Sequence, residues 1–431
     1  MKQIAIILLF FLAVPAFAQN EVKLDSCYLW ARQNYPNLKQ AGIWKEISAL
    51  QQENIKTNYY PQVTLNGQAT YQSDVTHIGI SLPGISIPTV SKDQYRAYAE
   101  VKQSIWDGGI SAANRELENA VLEKNLSELE MELYKLNDQV SQAFFTALVL
   151  DQQMAIIDAQ KTVLEDRLKS VESGIANGVI EKSTALVIKA ELINLDQNRI
   201  QLESGKSSAV KMLSVITGKD IAENSKLEYT AKKVENNEEL QRPELKFYTS
   251  QSQVMNSQIE MLNKTRNPKF FGFGQLGYGK PGLNMLNDKF DSWYSVGVGV
   301  SWNAFDWKNT ARKKEVIRLQ LNALQYHEEV FRQNIEVLDV QQKETINKLK
   351  NMLTNDQTLV DLRTEISKTA ASKLENQVIT ASDYISEVQA ETMAKLNFEL
   401  HKIQLDEAKE KYGLIMGKGL QSEENQTENN Q

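Results

Sequence analysis

Two hydrophobic periods occur along this chain, one of two residues and one of seven. Apolar and polar side chains alternate after Pro61, from Tyr95 to Lys102 and from Tyr294 to Trp302. The period of two predicts β-strands with one apolar and one polar face. A fourth strand is predicted from about Phe270 to Tyr278, where glycines leave its facing ambiguous. Each strand is about 9–11 residues long, which is the length that crosses a bilayer when tilted.

The period of seven dominates the stretch after Asp107-Gly108-Gly109. Apolar residues recur at spacings of four and three from Leu122 to Ile175, with Lys161 as the polar interruption. This seam predicts a coiled-coil helix from about 110 to 175, roughly 100 Å long at about 1.5 Å per residue. Gly174 and Asn177-Gly178 are expected to supply the positive φ values that end it. A second helix then returns, and a less regular seam repeats the arrangement from Leu324 to Ile366.

Both patterns occur twice, with matched intervals. Pro36 and Pro243 are each followed by a second proline 25 residues later, and Asp107 and Asp306 each precede a Val-Ile pair by 72 residues. Only the interval from the second proline to the aspartate differs, 46 residues in the first half against 38 in the second. An insertion confined to one segment indicates a surface loop. The chain is therefore an internal duplication.

The expected organisation is a signal peptide, two structural repeats, a segment between them and a tail. Residues 1–18 carry a positive start, an apolar run and the cleavage pattern Ala16-Phe17-Ala18. The first repeat is expected at 19–218, with strands at about 62–73 and 94–106 and a helical hairpin at about 110–217 whose tip lies near 174–180. The second repeat is expected at 242–417, with strands at about 269–279 and 292–303 and a hairpin at about 309–416 whose tip lies near 376–380. The inter-repeat segment is 219–241, and the tail at 418–431 is expected to be disordered.

Composition and motifs argue against chemistry. The formal net charge is -7 and the isoelectric point is near 5.4, so a nucleic-acid-binding surface is not expected. The single cysteine, Cys27, allows no internal disulfide, and His77, His327 and His401 are far apart. No zinc-protease, nucleophile-elbow, P-loop or dinucleotide motif occurs. We therefore expect no catalytic residues, no metal site and no cofactor.

The number of strands bears on assembly. Four strands cannot close a barrel, and an open sheet edge in lipid leaves backbone groups unpaired at several kcal/mol each. If the strands cross a membrane, several chains must share one barrel, and the possible totals are 8 strands from two copies or 12 from three. A barrel of 8 strands is filled by its own side chains, whereas a larger one can hold water. The helical seams alone also fit a plain coiled-coil dimer, and the strands alone also fit a soluble sandwich.

The sequence resembles the TolC family of outer-membrane efflux proteins over nearly the whole chain that follows the predicted signal peptide. Four pairs of motifs carry the resemblance. The repeats begin with NYPNL and RPEL, and the strands are entered by YYPQVTLNGQATY and NPKFFGFGQLGYG and left by QSIWDGG and SWNAFDW. The returning helices begin with Ser183-Thr184-Ala185-Leu186 and Ser382-Asp383-Tyr384-Ile385. Their occurrence in duplicate and in order is what makes them specific.

The resemblance implies a fold and an assembly. The fold class is mainly α with transmembrane β: each protomer of a homotrimer gives four strands to a 12-stranded barrel in the outer membrane, and its long helices to a coiled-coil barrel in the periplasm. Residues 219–241 would form part of an equatorial belt. The implied function is an exit duct for an efflux or type I secretion system. Its implied partners are a periplasmic adaptor protein, an inner-membrane pump of RND, ABC or similar type, and outer-membrane lipid.

The same resemblance implies where the duct meets its partners. The hairpin tips would contact the adaptor through Gly178, Val179, Ile180, Gln377, Val378 and Ile379. Gln377 replaces the glycine that the family usually has, and Ser386 replaces a second aspartate. Asp383 would form an acidic ring at the periplasmic aperture and favour cations. The plain alternatives are that the tip residues cap the seam and that Asp383 is a solvated carboxylate.

Three charged residues of the second strand bear on its facing. Arg96, Glu100 and Lys102 would line water inside the barrel, because a charge facing lipid at mid-membrane costs roughly 2–4 kcal/mol. A soluble periplasmic coiled-coil scaffold or adaptor is the alternative function. An adaptor also carries helical hairpins, but paired spanning strands and duplicated halves are not expected in it.

Overall fold

A computed structural model describes residues 21–76, 89–231 and 239–418. The predicted signal peptide lies outside these residues. So do His77, the middle of the loop between the first two predicted strands, part of the inter-repeat segment and all but the first residue of the predicted tail.

Helices account for most of the described chain. The seven α-helices of the described residues are α1 (Leu24–Asn34), α2 (Gln40–Lys56), α3 (Ile110–Ala176), α4 (Lys182–Thr217), α5 (Pro243–Lys264), α6 (Asn309–Glu375) and α7 (Ala381–Met416). The strands are β1 (Glu21–Lys23), β2 (Gln62–Tyr71), β3 (Asp93–Trp106), β4 (Lys226–Glu228), β5 (Lys269–Lys280) and β6 (Asp291–Ser301). Two helices of 67 residues and four long strands confirm the predicted mainly α class with an added sheet.

The four long strands form one antiparallel sheet in the order β2-β3-β5-β6. Glu100 in β3 lies opposite Thr64 in β2 and Gln275 in β5, while Ala99 lies opposite Leu65 and Leu276. Residues directly opposite each other in a sheet share a face. The register therefore resolves the facing that the sequence left open: the face of Glu100 carries the odd-numbered residues of β5 from Phe271 to Gly279.

The chain divides into two compact units that do not follow the repeats. One unit comprises Met1–Leu38, Glu132–Arg242 and Gln333–Gln431, and the other Lys39–Met131 and Pro243–Arg332. Each unit takes segments from both halves of the duplication. The first contains most of the helical hairpins, and the second contains the four-stranded sheet.

The heptad seam of α3 is the core of the first unit. Leu164, Val171 and Ile188 pack with residues of α6 and α7 in one buried cluster. A second cluster joins α1 and the small parallel β1–β4 pair to the middle of α3 and the end of α4, and includes Cys27 and Phe144. Burial at a period of 3.5 residues is what holds such long helices side by side, because isolated helices gain little from propensity alone.

Polar residues inside these clusters are paired. Lys161, the interruption in the seam, reaches Asp196 of α4 with a nitrogen–oxygen distance of 2.7 Å. The carboxylate of Glu410 is buried and accepts hydrogen bonds from the hydroxyls of Tyr28 and Tyr229, each at 3.2 Å. Such partners offset the cost of removing a charge from water.

The two strand-to-helix turns show the duplication at atomic detail. Asp107 accepts from the Tyr59 hydroxyl at 2.8 Å and the Ser111 amide at 2.7 Å, and Asp306 accepts from the Thr310 amide at 2.8 Å. The two residues after Asp107 are glycines with positive φ. The corresponding pair after Asp306 is Trp307 and Lys308, which take φ values of 53° and 62° despite having side chains.

Only α3, among the helices of the described residues, is apolar enough to cross a membrane by length and composition. Its best window has a mean hydropathy of 1.2 over 18 residues. The apolar side chains of α3 recur at heptad spacing and pack on neighbouring helices in the clusters described above. We therefore attribute the hydropathy of α3 to its coiled-coil seam.

Candidate functional site

The first hairpin tip is built by a glycine in the left-handed region. Gly178 has a φ of 71°, and the Val179 amide donates to the Gly174 carbonyl at 2.9 Å, which closes the end of α3. The prediction that Gly174 and Asn177 also supply positive φ values was wrong: Gly174 lies within the helix, and Asn177 does not take a positive φ. Gly174 is small for another reason: an added Cβ would lie 2.5 Å from Cδ1 of Ile180.

The second tip repeats this geometry with a residue that is not glycine. Gln377 takes a φ of 59°, and the Val378 amide donates to the Lys373 carbonyl at 2.8 Å. A left-handed residue with a side chain costs roughly 1–2 kcal/mol. The side-chain nitrogen Nε2 of Gln377 donates to the Val179 carbonyl at 2.8 Å, so the side chain that causes the strain also joins the two tips.

The valines and isoleucines of the tips differ in exposure. Val179 and Val378 are 59% and 68% exposed. Ile180 and Ile379 are half-buried and pack against the hairpin core, so they do not share the exposed surface that the sequence suggested for them. A cavity of about 530 Å³ lies beside them, lined in part by Val179, Gln377 and Thr380. The exposed apolar surface of the tips is thus centred on Val179 and Val378.

Asp383 begins the returning helix of the second hairpin. Its carboxylate accepts from the Thr380 amide at 3.0 Å and the Thr380 hydroxyl at 2.7 Å, and its own amide donates back to that hydroxyl at 3.1 Å. This is a capping box. Hydrogen bonds from the Thr380 side chain and backbone lower the pKa of Asp383 below its ordinary value of 3.8. The carboxylate is exposed, and because its pKa is lowered it stays ionised until the pH falls below about 3.8.

A polar link between the hairpins was not found from the sequence. Arg167 of α3 forms an ion pair with Glu375 of α6 at 2.7 Å, and its guanidinium lies 5.4 Å from the ring centre of Tyr384 in α7. Nearby, Gln389 donates to the buried Glu191 at 2.8 Å. These partners are about 200 residues apart in the chain, and no local pattern in the sequence marks them.

The charged residues of β3 share the polar face of the sheet. Arg96, Glu100 and Lys102 lie on one side together with Gln62, Thr64 and Gln68, which are opposite or next to them in β2. Ser295 of β6 lies on the same face, opposite Gln275. The structure therefore places the three predicted residues together, on a face that also carries uncharged polar side chains.

The other face of the sheet is apolar and exposed. Val296 and Val298 are 80% and 82% exposed, which is unusual for valines in the middle of a strand. The face as a whole carries Val63, Leu65, Ala69, Ala97, Ala99, Val101, Leu276, Val296, Val298 and Val300. Exposed apolar surface of this extent marks a site that contacts another apolar phase or partner.

Aromatic residues lie at both ends of this apolar face. At the end nearer the strand-connecting loops are Tyr71, Tyr95, Tyr278 and Tyr294, with Phe290 stacked 5.6 Å from Tyr278. At the end nearer the helices are Trp106, Phe270, Trp302, Phe305 and Trp307. Trp293 also lies near a strand end but is not part of this face, because the register puts it on the polar face beside Tyr98. Two aromatic belts around an apolar band are typical of strands that span a membrane.

Two helices carry apolar stripes that face no other part of the described chain. On α4, Leu186, Ile193 and Ile200 repeat every seven residues and are each at least 60% exposed. On α6, exposed residues follow spacings of three, four and seven in the order Val316, Leu319, Tyr326, Val330, Val337 and Val340. Leu338, Leu359, Leu362 and Ile366, which the sequence assigned to an internal seam, are also exposed. Heptad stripes of this kind pack against other helices.

No metal cluster is formed by the residues that the structure describes, taking groups of three or more histidine, cysteine, aspartate or glutamate side chains. Within the same residues, the pair His401 and Asp356 is held at 2.6 Å between α6 and α7.

Residues 30–219, which correspond to the first repeat, match the family model described as outer membrane efflux protein. No curated protein sequence matched the chain. Solved structures similar to the whole chain include the outer-membrane channel OprN, at 13% identity and a TM-score of 0.65, covering 92% of this chain and 90% of that one. The Campylobacter jejuni CmeC outer membrane channel is 14% identical with a TM-score of 0.61, covering 94% and 88%.

A third similar structure is the open state of the Neisseria gonorrhoeae MtrE outer membrane channel. It is 13% identical with a TM-score of 0.64, covering 92% of this chain and 89% of that one. At identities this low, the structural similarity establishes a common fold and nothing more. The shared fold extends over both repeats, beyond the residues that the family model matches.

The facing of the sheet is testable with single cysteines. Cys27 is fully buried and burial raises its pKa to about 12, so the natural thiol should not react in the folded protein. In membranes, Glu100→Cys should react with a hydrophilic maleimide, whereas Val296→Cys should react only with a lipophilic one. Equal hydrophilic labelling of both variants would contradict the assignment of the faces. Asn66→Cys, on the polar face, is the matched control for the loss of charge.

Proposed function

We propose that this chain is an outer membrane efflux protein and that three copies of it form a passive exit duct through the outer membrane. The observation that carries the proposal is the exposed apolar face of the sheet between two aromatic belts, while Arg96, Glu100 and Lys102 lie on the opposite face. A soluble scaffold or adaptor would have no use for such a face. The duct itself performs no chemistry and conducts what a pump delivers.

The edges of the sheet support assembly from several copies. β2 and β6 are the outer strands, and among the residues that the structure describes each pairs on one side only. Each neighbouring pair in the order is antiparallel, so β2 and β6 run in opposite directions and β6 of one copy can pair antiparallel with β2 of the next. In lipid this pairing satisfies backbone groups that otherwise cost several kcal/mol each.

The number of copies follows from the duct. Two copies give a barrel that its own side chains fill, whereas three give 12 strands and room for water. The unpartnered stripes on α4 and α6 support the same assembly, because neighbouring copies would bury them in a ring of helices. OprN, CmeC and MtrE are outer-membrane channels.

The tips are the proposed contact with a periplasmic adaptor, which couples the duct to an inner-membrane pump of RND, ABC or similar type. Val179 and Val378 form the apolar centre of the contact, and Gly178, Gln377 and the half-buried Ile180 and Ile379 hold them in place. Asp383 is the proposed aperture residue, with its cap to Thr380 fixing the side chain at the start of α7. Arg96, Glu100 and Lys102 line the duct within the membrane.

The tip contact predicts the effect of one added charge. Val179→Asp should abolish export while leaving trimers intact, because a carboxylate in the apolar contact would lose its water without gaining a partner. Export is measured with compounds to which deletion of the gene sensitises the host. Val163→Asp is the matched control, since Val163 is also exposed and lies on α3, 16 residues before Val179. Normal export by the Val179 variant would argue against the contact.

The aperture role predicts a change in ion selectivity. Asp383→Asn should lower the cation selectivity of the purified protein in planar bilayers, measured as a shift of the reversal potential in a salt gradient. Because the pKa of Asp383 is lowered, the wild-type selectivity should persist at pH 5 and decline only as the pH falls below about 3.8.

A matched variant separates this charge from its structural role. Thr380→Ala removes the hydroxyl that the carboxylate binds but keeps the charge. It should therefore keep the selectivity even where it loosens the end of α7. An unchanged reversal potential in Asp383→Asn, or an equal loss in Thr380→Ala, would remove Asp383 from the aperture.

A further inference from the structure

Three aromatic rings on the polar face of the sheet lie directly over glycines. The register places Trp293 opposite Gly277, Phe273 opposite Gly297 and Phe271 opposite Gly299. A Cβ added to these glycines would lie 2.5 Å from Trp293, 2.7 Å from Phe273 and 2.5 Å from Phe271. Each ring thus occupies the space that a side chain on the neighbouring strand would fill.

The rings are held along the sheet by further contacts. Trp293 lies 5.7 Å from Tyr98, and Phe271 lies 6.4 Å from Phe273, measured between ring centres. The ammonium group of Lys102 lies 4.2 Å from the centre of the Phe271 ring, close enough for a cation–π interaction. Large side chains on this face are therefore folded down onto the backbone.

This arrangement belongs to the polar face. Gly67 and Gly274 lie on the apolar face, and a Cβ added to either would meet nothing within 4 Å. Glycine is not needed in the strands for their backbone conformation, since none of the seven glycines of the four long strands has a positive φ. Space for the rings is what distinguishes Gly277, Gly297 and Gly299 from Gly67 and Gly274.

We infer that Gly277, Gly297 and Gly299 set the bore of the duct within the membrane by giving Trp293, Phe273 and Phe271 room to lie flat. The inference rests on the proposed function, in which the polar face lines the duct. With any larger residue at these glycines, the ring has to leave the sheet, and the only free direction is into the lumen. The glycines therefore determine the size of cargo that passes.

The expected effect is large enough to measure. With strands about 4.8 Å apart and tilted by about 40°, a 12-stranded barrel has a backbone radius of roughly 12 Å, about half of which side chains occupy. Three aromatic rings, one per copy, raised by about 3 Å into that lumen would remove roughly a third of its cross-section. One substitution is therefore expected to lower the size limit for solutes and to reduce the single-channel conductance by at most about a third, because the rest of the duct adds resistance in series.

The test uses single alanine variants of the full chain in planar bilayers. Gly299→Ala and Gly297→Ala should each lower the conductance and exclude smaller polyethylene glycols than the wild type does. The atoms that the new methyl group meets are at the far ends of the Phe271 and Phe273 rings, so the ring moves and the sheet is retained. Gly274→Ala, on the apolar face of β5, is the matched control and should keep the wild-type conductance and size limit.

A double variant identifies the ring as the cause. Adding Phe271→Ala to Gly299→Ala should restore at least the wild-type conductance, because the displaced ring is gone. Wild-type conductance and size limit in both glycine variants would overturn the inference, and so would a failure of the double variant to recover. Absence of any conductance from the wild-type protein would instead overturn the proposed function.

Discussion

Hydrogen bonding of the backbone at the edges of one four-stranded sheet is the constraint on which the rest depends. β2 and β6 each leave one side unpaired, and the face between them is apolar and exposed. In water such edges would be satisfied by solvent, but in lipid only another strand can pair with them. In the proposed function, the need for partner strands requires several copies to share one barrel, and the polar face then lines its lumen.

The duplication gives the chain two copies of the same set of elements. Each half gives two strands and one helical hairpin, and the compact units combine segments of both halves. Where the halves differ, the differences concern function or contact: Gln377 in place of Gly178 joins the tips, and Trp307 and Lys308 in place of two glycines put an aromatic ring in the belt at a cost in backbone strain. The second hairpin also has fewer internal apolar contacts and more exposed apolar residues.

Much of the fold could be predicted from the sequence, because periods of two and seven residues are local signals. The four strands, the heptad seam and the turns after Asp107 and Asp306 all follow from spacing. The facing of β5 could not, since glycines hide the alternation there and only the register with β3 fixes it. The link from Arg167 to Glu375 was equally hidden, because its partners are 208 residues apart. The cap between Thr380 and Asp383 was visible in the sequence as a Ser/Thr-x-x-acid pattern and was missed.

The most direct test of the account is the mass and location of the mature protein. Cells are separated into aqueous periplasmic extract and outer membrane, and the protein is weighed by native mass spectrometry after detergent extraction. The account predicts that it is found in the outer membrane with the mass of three chains. A monomer in the aqueous extract would contradict the shared sheet, and with it the duct.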